Sequence, residues 1–159
     1  INTNLNSLFR LSKAVLRGMT KARWGRIVNI GSVAGIRPRP GLTWYNSTKG
    51  AVNILSQSMA AELAPDNIRV NAISPGPMKT LAGAAIGGAR KTYRHTEANA
   101  PLRANATLEA IGGTAVWLAS DWGACTTGEI VLVDVEGEIE PKVLEELRAI
   151  DGVLSARGI

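Results

Sequence analysis

Apolar residues Leu5, Leu8, Phe9, Val15, Leu16 and Met19 recur at three- and four-residue spacing, which predicts an amphipathic helix over residues 3–20, closed before Gly25. The β-branched run RIVNI at 26–30, stopped by Gly31 and Ser32, predicts a short buried strand. Residues 35–41 are rich in Gly and Pro and read as loop. Tyr45, Lys49, Val52, Leu55, Met59 and Leu63 trace a second helix, closed by Pro65 and Asp66. A second strand is expected over 68–73, ended by Ser74, Pro75, Gly76 and Pro77. Residues 80–105 mix Gly, Ala and charge with poor periodicity, the pattern of short helices in an insertion. Helical spacing resumes over 108–118 behind Thr107, a residue suited to an N-cap. A third strand is expected over 129–135, a charged helix over 141–149 and a last strand over 153–156. Strands alternating with helices imply parallel crossovers, so the expected class is α/β, a parallel sheet with helices on both faces.

A chain of 159 residues with 45% hydrophobic content can bury one continuous core. One domain is expected over 1–137, with 138–159 as a helix-strand tail packed on it. The sequence has neither an apolar run of about eighteen residues nor a signal-peptide pattern, so a cytoplasmic protein without a membrane partner is expected. Cys125 is the only cysteine, which excludes an intrachain disulfide and leaves too few thiolates for a metal centre; no metal is expected. The net charge of +5 is spread from Arg10 to Arg157 and interleaved with acids in the final third, which argues against a nucleic-acid partner.

Candidate chemistry sits at the start of the second helix. Tyr45 and Lys49 are four apart, so both side chains leave one helical face towards the carboxyl end of the preceding strand. Ligands bind at that end of open α/β sheets. A free tyrosine, with a pKa of about 10, is a poor acid or base at neutral pH, and a neighbouring ammonium moves it towards the working range. Ser32, at the tip of the first strand, is placed to donate a hydrogen bond to a carbonyl oxygen beside the phenol. A Tyr and a Lys at this spacing are by themselves an ordinary surface pair. Their combination with Ser32 thirteen residues earlier, and with a strand ending in Pro75 and Gly76, is what points to proton transfer.

With those motifs the sequence resembles the short-chain dehydrogenase/reductase family, which implies a partial Rossmann-like parallel sheet. Residues 1–70, running NTNLNSLFRLSKAVLRGM, then GRIVNIGSVAG, then YNSTKG, are similar to bacterial 3-oxoacyl-acyl-carrier-protein reductases. The resemblance implies Ser32 as substrate-orienting donor, Tyr45 as general acid and base, and Lys49 also gripping nicotinamide ribose hydroxyls. It implies that Asn4 holds a water in a proton relay; a helix N-cap is the alternative. Pro75, Gly76 and Met78 match the turn whose backbone receives the nicotinamide carboxamide, and Thr80 matches a hydroxyl near the pyrophosphate.

Residues 71–133, including NATLEAIGGTAVWLASD and CTTGEIVLVD, are instead similar to bacterial enoyl-acyl-carrier-protein reductases. That branch spaces its active Tyr and Lys by seven positions, whereas Tyr45 and Lys49 are four apart, so ketoreductase chemistry carries more weight. The lid over an acyl chain would then run from Leu81 to Arg103, with Leu81, Ile86 and Tyr93 as lining. Residues 134–159 resemble the end of the regulatory ACT domain of phosphoglycerate dehydrogenases. Three resemblances in one chain, and a start at Ile1, fit a piece of a longer polypeptide or a recombined one. The family's glycine-rich phosphate cradle and ribose selector are not among these residues, so only the nicotinamide half of an NADPH or NADH site is expected.

The expected function is NAD(P)H-dependent reduction of a 3-oxoacyl thioester. The alternatives are enoyl reduction, or a non-catalytic α/β module. Expected partners are a small-molecule acyl thioester, an acyl carrier protein as a further candidate, and a second copy of the chain, through surplus apolar residues such as Leu16 and Met59 on the first two helices. His95 is expected to be solvated, Cys125 to be a packed inert thiol, and the four tryptophans to be packing residues, with Trp44 able to edge the substrate mouth.

Overall fold

The structure is a computed structural model that describes residues 1–78, 80–81 and 88–133. Among them three strands, β1 (Gly25–Ile30), β2 (Ile68–Pro75) and β3 (Ile130–Val133), form a parallel sheet in the order β1-β2-β3. Four α-helices accompany it: α1 (Ser7–Ala22), α2 (Thr43–Leu63), α3 (Ala89–Asn99) and α4 (Leu108–Ala119). The central strand β2 is buried from Ile68 to Ser74, because it has a neighbour on both edges and cover on both faces.

Strand alternation decides which residues meet which helix. Ile68 and Val70, with Ala60 of α2, form a core cluster packed by Leu16, Met19, Ile27, Met59 and Leu63, so α1 and α2 cover one face. Leu16 and Met59 thus serve the core and not a second strip, contrary to the expectation above. Large apolar residues left outward are Phe9, Leu11 and Val15 on α1 and Trp44 and Ile54 on α2. The opposite face carries Arg26 and Arg69, register partners across β1 and β2. Asp121, just beyond α4, approaches Arg26 there, and α4 also touches β1 and β2, so α4 covers that face.

Local chemistry sets the register. Arg23 ends α1 in the left-handed region, φ 53°, and its N–H bonds the carbonyls of Met19 and Thr20. Asn67 takes φ 58° before β2, and its side-chain amide donates to the Arg23 carbonyl at 3.0 Å. Arg23 donates in turn to Asp66 at 2.9 Å and to the Pro65 carbonyl at 2.8 Å. These bonds tie the turns before β1 and β2 together, which places Gly25 opposite Ile68. On the other edge, the Asn71 side chain donates to the Thr126 carbonyl and accepts from the Glu129 N–H, guiding the chain into β3.

The expected elements are found with shifted ends. The first helix begins at Ser7, behind a π-helical turn at Asn2–Asn6 in which Ile1 O accepts from Leu5 N and Asn6 N. The second strand continues to Pro75, and the insertion contains α3. Thr107 does cap α4, its Oγ1 accepting from Ala110 N at 3.1 Å. The helix expected at 141–149, the strand at 153–156 and the division after 137 lie outside the described residues, as does the resemblance of 134–159. Among the described residues no helix is long and apolar enough to cross a membrane.

Ile68 is fully buried at the centre of the α1/α2 core. Ile68→Ala is expected to cost about 2–5 kcal/mol by lost transfer energy and the cavity left behind. Denaturant unfolding checks it through a lowered midpoint at unchanged slope.

Candidate active site

The site is assembled where β1 ends. Gly31 N donates to Ile73 O at 2.8 Å, carrying the ladder one residue past the strand, and Ser32 then caps a short 3₁₀ turn at Val33–Gly35. The Ser32 Oγ accepts from Ala34 N at 3.1 Å. A hydroxyl that accepts in this way still has its own O–H to donate. Gly35 is pressed against α2: a Cβ there would lie 2.6 Å from Gly50 N and 2.7 Å from Lys49 O. Only glycine permits that approach, and it seats the Ser32 turn beside the first two turns of α2.

Tyr45 and Lys49 lie one turn apart in that stretch. The Lys49 Nζ donates to the Ile30 carbonyl, the last of β1, at 2.7 Å and stands 6.0 Å from the Tyr45 ring centroid. Both side chains therefore belong to the carboxyl end of β1, as their spacing predicts. Burial, which disfavours the ammonium, lowers the Lys49 pKa below the usual lysine value. Asn4 does not act as an N-cap. It sits within the π-helical turn, and its Nδ2 donates to Thr48 Oγ1 at 3.1 Å, while Thr48 Oγ1 donates to the Tyr45 carbonyl at 2.9 Å.

Beneath these groups lies a polar layer that the sequence reading missed. Asn53 Nδ2 donates to the Ser32 carbonyl at 3.2 Å, and Asn29 Nδ2 donates to Ser56 Oγ at 2.9 Å. Thr48, Asn53 and Ser56 are buried on α2 beside Val52. Their signal in the sequence is that Thr48, Asn53 and Ser56 fall on the side of α2 that also buries Val52 and Ala60.

The turn after β2 forms the second wall. Gly76 N donates to Val133 O at 2.7 Å, and Thr80 N donates to Met78 O at 2.9 Å. Tyr93 Oη also donates to Met78 O, at 2.7 Å, fastening α3 to the turn that follows Pro75 and Gly76. Leu81 is almost fully exposed, and Ile86 lies outside the described residues. An open cavity of about 580 Å³ runs beside this wall, lined by Met78, Thr80, Glu97, Arg103, Asn105 and Thr107 among others; Ser32, Tyr45 and Lys49 do not line it. His95 is exposed, as expected. Cys125 is exposed and not packed, and Trp44 and Trp122 are largely exposed, because they sit on turns and helix ends outside the core.

A family model described as enoyl-(acyl carrier protein) reductase matches residues 1–135. The chain belongs to the short-chain dehydrogenase/reductase family. It is 43% identical over 134 residues to a 3-oxoacyl-acyl-carrier-protein reductase of Pseudomonas aeruginosa, a match covering 84% of this chain and 53% of the relative. It is 38% identical over 133 residues to an NADH enoyl-acyl-carrier-protein reductase of Synechocystis, covering 84% and 51%. Among solved structures, the Bacillus cereus enoyl-acyl-carrier-protein reductase with NADP+ matches with a TM-score of 0.76 at 32% identity, over 82% of this chain and 50% of that one. The chain thus spans about half the length of the relatives it matches.

The lowered Lys49 pKa has a signed consequence for stability. Below the folded-state pKa the ammonium is charged in both states, and its burial weighs fully against folding. Between that pKa and the ordinary 10.5, the folded protein releases the proton while the unfolded chain keeps it, so stability rises with pH. The difference in unfolding free energy between wild type and Lys49→Met is expected to move in favour of wild type across that alkaline window. A flat difference would remove the burial account of Lys49.

Proposed function

We propose that this chain forms the proton-transfer side of an NAD(P)H-dependent oxidoreductase that reduces the ketone of a 3-oxoacyl thioester. The observation that carries the reading is the pairing of Tyr45 and Lys49 within one helical turn, with Lys49 Nζ fastened to Ile30 O at 2.7 Å. The donor set suits a nicotinamide nucleotide: an ammonium has three N–H donors, and two remain beyond Ile30 O for a vicinal diol. Tyr45, Pro75, Gly76, Met78 and Thr80 are the other residues proposed to meet it. When bound, the cofactor supplies hydride to the carbonyl carbon.

The residues of the chain handle the oxygen and the proton. Ser32 donates its free O–H to the substrate oxygen and holds it beside the phenol. Tyr45 gives its phenolic proton to that oxygen as negative charge develops there, and the Lys49 ammonium stabilises the phenolate left behind. Asn4, through Thr48, positions the first turn of α2 and is proposed to hold a water that reprotonates the site. Leu81, Ile86 and Tyr93 are proposed as the acyl-side cover. Enoyl reduction is the alternative within the family, supported by the relatives of that name; the four-residue Tyr45–Lys49 spacing favours ketone chemistry. An acyl carrier protein as bearer of the thioester, and a cytoplasmic setting, belong to the same proposal.

The test is paired. NADPH and NADH are titrated into the purified chain by nicotinamide fluorescence, and 3-oxoacyl and 2-enoyl thioesters are compared as substrates in whichever assembly turns over. Tyr45→Phe is expected to lower ketone reduction by ~10² to 10⁴ with an unchanged fold by circular dichroism. Wild-type turnover in that variant would sink the assignment, and a preference for the enoyl substrate would select the alternative.

Self-association is part of the proposal. Phe9, Leu11 and Val15 on α1 and Ile54 on α2 are exposed apolar residues on the two helices that flank the site. Two-fold dimers are the commonest oligomers, and exposed apolar side chains on these helices are ones that such a contact would cover. Sedimentation is expected to show a dimer at micromolar concentration, shifted to monomer by Phe9→Glu with Ile54→Glu. A wild-type chain that stays monomeric at high micromolar concentration would exclude it.

A further inference from the structure

A second polar cluster lies at the opposite end of the strands from Ser32 and Lys49. Arg26 and Arg69 are register partners on adjacent strands, on the face away from the α1/α2 core. Arg69 is only 7% exposed, and its Nε and Nη2 are buried without a hydrogen-bond partner. The Arg26 side chain is 8% exposed. Its Nη1 donates to Gly25 O at 2.7 Å and reaches Asn67 O at 3.5 Å, while its Nε is buried without a partner. The Trp24 ring centroid lies 4.8 Å from the Arg26 guanidinium carbon. Asp121 stands 3.9 Å from Arg26 Nη2, too far for a hydrogen bond, and its side chain is 97% exposed.

This arrangement is short of negative charge and of acceptors. Like charges side by side on a sheet repel, and a buried N–H donor without an acceptor keeps its full desolvation penalty. The two unpartnered atoms of Arg69, Nε and Nη2, carry the adjacent N–H bonds of one edge of the guanidinium. That edge matches two oxygens of a planar anion, the bidentate geometry that arginine makes with carboxylates. A neutral acceptor would satisfy the donors and leave the charge; a metal cation would add to it.

We propose that Arg69, with Arg26 beside it, is a carboxylate-binding site at the amino-terminal end of the sheet. Arg69 takes the carboxylate edge-on through Nε and Nη2, and Arg26, held under Trp24, supplies the second positive charge. The carboxylate has two possible sources. One is a free small dicarboxylate. The other is an Asp or Glu side chain on an extended segment running along β1, whose outer edge has no strand partner among the described residues.

The experiment titrates the purified chain with sodium succinate, with a valine-flanked Asp pentapeptide and with its Asn counterpart, using sodium chloride at equal ionic strength as the baseline. Sodium phosphate is the competing anion. The readouts are tryptophan emission, compared with Trp24→Phe to isolate Trp24, and the unfolding temperature. A saturable response to succinate identifies a free carboxylate; a response to the Asp peptide, absent for the Asn peptide, identifies a side chain. Arg69→Met is expected to fold at least as stably as wild type without anion, because it removes a buried unpaired charge, and to weaken binding at least about tenfold. If that variant does not fold, Arg69→Lys keeps the charge without the planar fork and is expected to show the same loss. No response above chloride to either carboxylate source, phosphate binding as tight as the carboxylate, or an unchanged response in the folded Arg69 variant would each overturn the site.

Discussion

An ammonium half removed from water must be given an acceptor, and for Lys49 the acceptor is the last carbonyl of β1. The surrounding architecture follows from that bond. It fixes the first two turns of α2 over the end of the strand, which brings Tyr45 to the same place. It also narrows the space through which the chain leaves β1, so the Ser32 turn must press against Lys49 and Gly50 at a point where only Gly35 fits. The charge proposed to assist proton transfer is thus also a structural clamp, and its burial is tolerated because one of its donors is satisfied by backbone.

Below the clamp, the packing is polar where an apolar interior would be simpler. Asn29 with Ser56, and Asn53 with the Ser32 carbonyl, spend buried amides on holding α2 against β1 in one position. Hydrogen bonds are directional where apolar contacts are not, so these two bonds fix one position of the helix, although Asn53 Oδ1 is buried there without a partner. Apolar packing by Leu16, Met19, Met59 and Leu63 supplies adhesion lower on the same face, where sliding by a few tenths of an ångström does no chemical harm. Adhesion and alignment are divided between the two ends of α2.

Much of this was legible in the residues. The β-branched runs RIVNI and IRVNAI mark β1 and β2, and the Tyr45–Lys49 spacing puts both groups on one face of a helix whose ends Gly41 and Pro65 bracket. Other features depend on tertiary contact and leave no local mark. Asn4 reads as a helix cap by residue type, yet the extra residue of the π-helical turn turns it towards Thr48. Arg69 and Asn71 alternate with Ile68 and Val70, which reads as the solvated side of a strand; α4 and the loop before β3 cover that side and bury them. Cys125 was expected to be a packed thiol and the tryptophans to be packing residues, yet Cys125, Trp44 and Trp122 are exposed; residue type says little about any single apolar residue on a surface.

The positions of α2 and α4 also fix the sense in which the chain winds. With β1, β2 and β3 parallel and in sequence order, both crossovers step in the same direction across the sheet. A helix over one face makes such a step right-handed, and a helix over the other makes it left-handed. Since α2 and α4 lie on opposite faces, the two connections are mirror images in hand, and one of them runs against a preference obeyed by roughly 98% of such units. The link between β1 and β2 is almost all helix and tight turn, whereas the link between β2 and β3 also carries α3 and the cavity wall. Its length therefore answers to topology: trimming residues 88–107 would strain the path by which the chain reaches the far side of its own sheet.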